Sequence, residues 1–108
     1  PKVVNDSPIG LSRFSSIRSW LSQFSYELSE ADGEKCGRNT SVPTLVIGNS
    51  ADDACPPSHN QRLFESIQHE SKKLHIVKGA NHYYFGQKAE LSEAVKVSLD
   101  WLKNEDLI

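Results

Sequence analysis

Three side chains capable of acid–base chemistry follow the two most strand-like segments of the sequence. Asp52 and Asp53 lie in a polar turn after the first segment, and His82 lies in a turn after the second. Catalytic groups of open α/β sheets collect at the carboxyl ends of strands. An aspartate that is hydrogen-bonded to a histidine at such an edge fixes the imidazole tautomer and stabilises the imidazolium, as in acyl transfer. The alternative interpretation is an Asx turn beside a solvated histidine.

The elements that must position these residues alternate between strand and helix. Val42–Gly48 is apolar and β-branched without alternation, which predicts a strand buried on both faces. Ser58 is the predicted N-cap of a helix that extends to about His69. Lys72–Lys78 predicts a second strand, and Lys88–Asn104 predicts a closing helix. Two strands joined by a helix are expected to be parallel with a right-handed crossover, so the predicted fold class is α/β.

The first part of the chain has a different pattern. Apolar residues recur at steps of three and four within Leu11–Ser29, which predicts an amphipathic helix, and Ala31–Ser41 has the composition of a loop. We therefore divide the sequence into a helical segment with its loop, 1–41, and a strand–helix–strand–helix unit, 42–108. Three aromatic residues of the helical segment are expected in a core: Trp20, Phe24 and Tyr26.

Composition excludes several classes of function. The chain has 108 residues and a formal net charge of −2, which argues against nucleic-acid binding through bulk positive charge. No run approaches the ~18 apolar residues of a membrane span, and no signal peptide is visible, so a cytoplasmic protein is expected. Cys36 and Cys55 are expected to be free thiols. No Cys or His pair has the usual metal-ligand spacing, so neither a metal nor a cofactor is predicted.

The stretch from Val42 to Trp101 resembles the C-terminal end of the α/β-hydrolase fold. In that family the penultimate strand ends in a glycine-containing turn with an acid, and a proline stands four residues after the acid. Here Asp52 and Pro56 have that spacing. The last strand of the family ends in Gly-x-x-His, which is Gly79-Ala80-Asn81-His82 in this chain. The usual glycine before the acid is Asn49 here, and asparagine can adopt the left-handed conformation that such a turn needs.

The resemblance implies a role for each of these residues. Asp52 would be the orienting acid of a Ser–His–Asp triad, with Asp53 as its rival, and His82 would be the general base and then the general acid. No Gly-x-Ser-x-Gly elbow occurs in the sequence. We therefore expect the nucleophilic serine on a missing N-terminal segment or a second chain, and an esterase-type activity on a small acyl substrate.

Two other hypotheses remain open. The chain could be a non-catalytic, hydrolase-like scaffold or binding module that pairs with another chain. It could also be a small domain that completes its sheet by forming a homo-oligomer, because a two-stranded parallel sheet is not stable by itself.

Overall fold

A computed structural model of the protein describes residues 16–25, 27–29 and 31–108. It divides into two compact units, residues 1–36 and 37–108, which we describe separately. The described residues form a mixed α/β protein with four helices and a two-stranded parallel sheet. In chain order the elements are α1 (Ile17–Phe24), α2 (Gly33–Arg38), β1 (Thr44–Asn49), α3 (Pro57–Ser66), β2 (Lys72–Val77) and α4 (Lys88–Asn104).

The first unit contains α1, which confirms the predicted helix over its central turns. Ser16 is the N-cap, and its Oγ accepts a hydrogen bond from the backbone N–H of Ser19 at 3.2 Å. The rings of Trp20 and Phe24 contact each other with centroids 5.5 Å apart. No residue of α1 is buried, and Phe24 is 56% exposed. The predicted turns before Ser16, and Tyr26, lie outside the described residues.

The segment predicted as a loop, Ala31–Ser41, instead contains the short helix α2. Asp32 starts it, because its Oδ1 accepts hydrogen bonds from the backbone N–H groups of Glu34 and Lys35 at 3.0 and 3.1 Å. A side-chain acceptor at this position satisfies N–H groups that have no partner within the helix. The loop prediction was wrong because it gave weight to the glycines and none to this cap.

The two strands pair in parallel from Thr44↔Lys72 to Asn49↔Val77, as the connecting helix predicts. The apolar segments were located correctly, and β1 begins two residues later than expected. Each strand has a single neighbour within the described residues. A cluster of buried residues lies where the strands end, with two partly buried side chains packed against it: Val77, Ala80 and Ala94, with Ile47 and Tyr84.

Helix α3 connects the strands, but it starts and stops earlier than predicted. Pro56 is its N-cap and Pro57 its first residue, so Ser58 is not the cap. A proline suits the first helical position because the N–H it lacks would have no partner there. The helix ends at Ser66, and the Nζ of Lys72 donates to carbonyl groups of its last turn and the residue after it, Phe64 and Ile67, at 3.0 and 2.7 Å. Those bonds and the positive charge stabilise the C-terminal end of the helix.

Helix α4 has the predicted bounds and packs against both strands. Ala94 and Trp101 are its buried residues. A second row of apolar side chains, four residues apart, remains half exposed: Leu91, Val95 and Leu99. No described helix is long and apolar enough to cross a membrane.

Candidate active site

The turns after β1 and β2 bring the predicted site residues together. The strands end opposite each other at the pair Asn49↔Val77, so the two turns leave the same edge of the sheet. The turn after β1 carries Asp52, and the turn after β2 carries His82. Asp52 Oδ2 lies 2.8 Å from His82 Nδ1, although 30 positions separate the two residues. The parallel pairing therefore places an acid and a base side by side.

The environments of the two side chains differ in a way that suits different roles. The Asp52 side chain is 7% exposed, whereas the His82 side chain is 41% exposed. A buried carboxylate has few alternative partners and keeps one orientation, because a buried charge must be hydrogen-bonded. The half-exposed imidazole remains open to a molecule that arrives from solution. The pair therefore has a fixed acid inside and an accessible base outside.

Backbone groups hold the Asp52 carboxylate from its other side. Its Oδ1 accepts hydrogen bonds from the N–H groups of Ala54 and Cys55, both at 2.8 Å. The N–H of Cys55 is the main cause of a lowered pKa for Asp52, which burial opposes and which the bonds from His82 and Ala54 reinforce. The carboxyl group is therefore ionised and accepts hydrogen bonds through both oxygens.

This charge state determines the tautomer of a neutral His82. An ionised carboxylate can only accept, so Nδ1 must carry a proton and donate it towards Asp52. The other nitrogen, Nε2, then has a free lone pair. Within the described part of the chain no hydrogen bond reaches Nε2. An Nε2 acceptor on an oriented, half-exposed ring is able to take a proton from a hydroxyl group of a neighbouring molecule or segment.

Asp53 does not share this arrangement. It is exposed, and no hydrogen bond or ion pair joins it to His82 among the described residues. The sequence left Asp52 and Asp53 as rivals, and the structure brings only Asp52 into contact with the histidine. The difference arises in the turn itself, where the Asp52 side chain folds back onto the N–H groups of residues 54 and 55.

A frame of hydrogen bonds that the sequence did not predict joins the two turns. Asn49 is 8% exposed; its Nδ2 donates to the carbonyl of Asn81 and its Oδ1 accepts from the hydroxyl of Tyr84, each at 2.9 Å. The N–H of Gly79 donates to Ser50 Oγ at 2.6 Å. Asn49 is not among the residues with positive φ, so the turn does not use the left-handed conformation that asparagine tolerates. Asn49 acts through its side chain instead.

Gln87 completes this frame of hydrogen bonds, and Gly48 lets a neighbouring side chain approach the end of β1 closely. Gln87 accepts from the N–H of Asn81 at 2.7 Å and donates to the carbonyl of Gly79 at 2.8 Å, so it fixes the turn that carries His82. A Cβ at Gly48 would lie 2.4 Å from the amide of Asn60 and 2.7 Å from Ile76, which explains a glycine there. The only sequence signal for this frame was the number of amide side chains near the strand ends.

The aromatic residues after His82 do not behave as a group. The three residues that follow it are Tyr83, Tyr84 and Phe85. Tyr84 alone packs against the buried cluster, and it adopts a positive φ of 54°. Tyr83 and Phe85 are 74% and 87% exposed. The ring of Tyr83 meets the His82 ring edge-on, with centroids 4.7 Å apart. One exposed aromatic side chain, that of Tyr83, therefore borders the histidine.

The other histidines do not contact the Asp52–His82 pair among the described residues, whereas one cysteine lies close to it. His75 contacts Glu93 at 2.7 Å. Both cysteines are exposed and outside any disulfide bond, and one of them, Cys55, is beside the acid and the base. The potential ligand atoms of Asp52, Cys55 and His82 all lie within 4.8 Å of one another. Spacing along the sequence does not indicate this cluster, because its members come from two different turns.

Fold and site together define a mixed α/β protein with a hydrogen-bonded acid–histidine pair at the carboxyl edge of a parallel strand pair. Comparison with family models, with curated proteins and with solved structures gives no match to this chain.

Proposed function

We propose that the chain is the C-terminal part of an α/β-hydrolase and supplies the acid and the histidine of a Ser–His–Asp triad. The observation that carries this proposal is the 2.8 Å hydrogen bond between His82 Nδ1 and Asp52 Oδ2 at the edge where parallel strands end. The order acid before histidine along the chain is that of α/β-hydrolases. The substrate class that we propose is a small carboxylic ester or related acyl compound.

Each residue has a defined part in the proposed reaction. His82 Nε2 takes the proton of the serine hydroxyl as the oxygen attacks the acyl carbon, and later gives that proton to the leaving group. Asp52 keeps Nδ1 protonated and stabilises the imidazolium by charge, without accepting the proton itself. Two backbone N–H donors keep the Asp52 carboxylate ionised, and its burial keeps it in one orientation, which supports this role.

The nucleophile must come from outside this sequence, which contains no Gly-x-Ser-x-Gly segment. We propose that further strands, on the same polypeptide or a second chain, pair with the sheet and bring the serine to Nε2. The sheet supports such pairing because each described strand has one neighbour and so one unpaired edge. Parallel strands are normally covered and flanked within a larger sheet.

The test uses the complete gene product that contains this chain and a series of short-chain acyl esters. We expect His82→Ala to lower kcat/KM by roughly 10²- to 10⁴-fold, the range for loss of a general acid–base residue. Asp52→Asn should lower it by a comparable factor through the wrong tautomer. The matched controls are His59→Ala, at an exposed residue of α3, and Asp53→Asn, one residue from the acid.

Two results would contradict the proposal. One is full ester hydrolysis by the His82→Ala protein, and the other is equal loss in the Asp53→Asn control. Circular dichroism of each variant separates lost chemistry from lost folding. Reaction of the wild-type protein with an organophosphonate locates the nucleophile, which we expect on a serine outside these 108 residues.

A second candidate function is a non-catalytic module that pairs with another chain or with its own copy. The observation that favours it is the half-exposed row of Leu91, Val95 and Leu99 on α4. An apolar row of this kind is suited to burial against a partner. The same kinetic experiment distinguishes the two functions, because the module hypothesis predicts no hydrolysis that depends on His82.

A further inference from the structure

The acid–histidine pair has a third neighbour that the proposed hydrolysis does not use. Cys55 lies three residues after Asp52, and its thiol is free and exposed. Asp52, Cys55 and His82 each offer one potential ligand atom, and these three atoms lie within 4.8 Å of one another. Three side chains that bind metals through oxygen, sulfur and nitrogen therefore converge at one edge of the sheet.

These three donors match the ligand preferences of zinc. Zinc binds thiolate, imidazole and carboxylate ligands at about 2.0–2.3 Å, with tetrahedral geometry. Ligand atoms around such an ion lie roughly 3–4 Å from one another, so the cluster needs only small side-chain movements to close. A thiolate ligand also selects against Mg²⁺ and Ca²⁺, which prefer oxygen.

The surroundings prepare the cluster for an ion. The Asp52 carboxylate is already oriented, because its Oδ1 is held by the N–H groups of Ala54 and Cys55. Hydrogen bonds of this kind to a ligating carboxylate are the usual outer shell of a metal site. Cys55 and His82 are exposed, which leaves a path for entry and a position for water as the fourth ligand. The two exposed ligands can turn towards an ion that the buried one anchors.

We propose that Asp52, Cys55 and His82 form a zinc-binding site with one open coordination position. Binding releases the thiol proton of Cys55, and a ring nitrogen of His82 donates its lone pair to the ion. If the ion takes Nδ1, the ring carries its proton on Nε2 instead, which then cannot accept another; if it takes Nε2, the proton acceptor of the proposed triad is blocked. In either geometry, zinc and the proposed proton transfer exclude each other.

The site itself does not depend on the proposed hydrolysis, and binding is measured without substrate. The probes are Zn²⁺, followed by calorimetry, and Co²⁺, whose bond to a thiolate gives a charge-transfer absorbance band. We expect one ion per chain at this site in the complete gene product. Cys55→Ala should weaken Zn²⁺ binding by more than about tenfold, the lower end of what loss of even an outer-shell partner costs. It should also remove the cobalt–thiolate band.

The chain contains a matched control for each ligand. Cys36→Ala removes the other exposed thiol, His59→Ala an exposed imidazole, and Asp53→Asn a carboxylate of the same turn. All three controls should bind Zn²⁺ like the wild type. His82→Ala should bind at least about tenfold more weakly. Mg²⁺ at the same concentration should produce no heat.

Two outcomes would overturn the site: a wild-type protein without stoichiometric Zn²⁺ binding, or a Cys55→Ala protein that retains the cobalt–thiolate band. Circular dichroism shows that each variant is folded. Calorimetry measures zinc binding and the ester assay measures catalysis. Failure of the zinc site and failure of the proposed hydrolysis are therefore detected by different experiments. If both hold, zinc should inhibit hydrolysis and a chelator should restore it.

Discussion

Hydrogen bonds in the two units of the molecule join residues at very different separations along the chain. In the unit that ends at Cys36, the side chains of Ser16, Ser25 and Asp32 bond to backbone groups two or three positions away. At the strand ends of the other unit, Asp52 and His82 are 30 positions apart, and the Asn49–Tyr84 bond spans 35. One unit is organised by local caps and the other by tertiary contacts.

The same contrast holds for apolar burial. The described residues of the first unit include large apolar side chains on a helical face, yet none in α1 is buried. In the second unit Val77 and Ala80 are fully buried beside the turns that carry the site. Most helical stability comes from packing rather than from propensity. The candidate site therefore belongs to the unit whose described residues include a buried core, and the following predictions test how far that division holds.

The two tryptophans provide the largest expected difference between the units. Trp101 of α4 is 9% exposed, so Trp101→Ala should lower the free energy of unfolding by about 3–5 kcal/mol through lost burial and a cavity. Trp20 of α1 is only partly buried, so Trp20→Ala should cost at most about 1 kcal/mol. Urea unfolding of the complete gene product, followed by circular dichroism, measures both. Equal costs would show that the apolar face of α1 is packed and would remove the distinction.

A smaller effect is expected from the hydrogen-bonded frame. Asn49→Ala leaves the Asn81 carbonyl and the Tyr84 hydroxyl without their partner, which should cost about 1–3 kcal/mol. Tyr84→Phe removes one of those two bonds and should cost less. Hydrogen exchange should accelerate at Ala51, whose N–H donates to Ala80 across the two turns.

The control for this prediction is Asn104→Ala at the exposed end of α4, which should change stability by no more than about 0.5 kcal/mol. If Asn49→Ala leaves the hydrogen exchange of the Ala51 N–H unchanged, the contact between the two turns does not depend on the buried amide of Asn49.

The pattern of what the sequence predicted follows the same division between local and distant interactions. The strands and α4 were predicted because a run such as Leu45-Val46-Ile47 or a helical period is complete within a few residues. The loop at α2 was wrong because a single Asp32 cap outweighed two glycines. The proximity of Asp52 and His82 was predictable because parallel strands bring their carboxyl ends together.

The rest of the site was not predictable from one sequence. The choice between Asp52 and Asp53 depends on which side chain turns back onto the N–H groups of residues 54 and 55, and adjacent aspartates give no local signal of that choice. The partners of Asn49 lie 32 and 35 positions away, and the sequence contains several other amides. Cys55 joins the cluster only when the two turns are already in place.

The smallest effect concerns pH and tests whether the site contributes to the stability of its unit. The pKa of Asp52 is lowered from 3.8, chiefly by the N–H of Cys55, so the folded state binds this proton less readily than the unfolded state. The contribution to stability is therefore complete above pH 3.8 and is lost as the pH falls through the lower pKa of the folded state. Asp52→Asn lacks that contribution at every pH.

We expect the free energies of unfolding of wild type and Asp52→Asn to differ most near neutral pH and to converge in acid. Urea unfolding at a series of pH values measures both. Asp53→Asn, which removes a charge from the same turn without a contact to His82, corrects for net charge. A constant gap between wild type and Asp52→Asn down to strongly acidic pH would mean that the bonds to Asp52 orient the carboxylate without favouring its charged form.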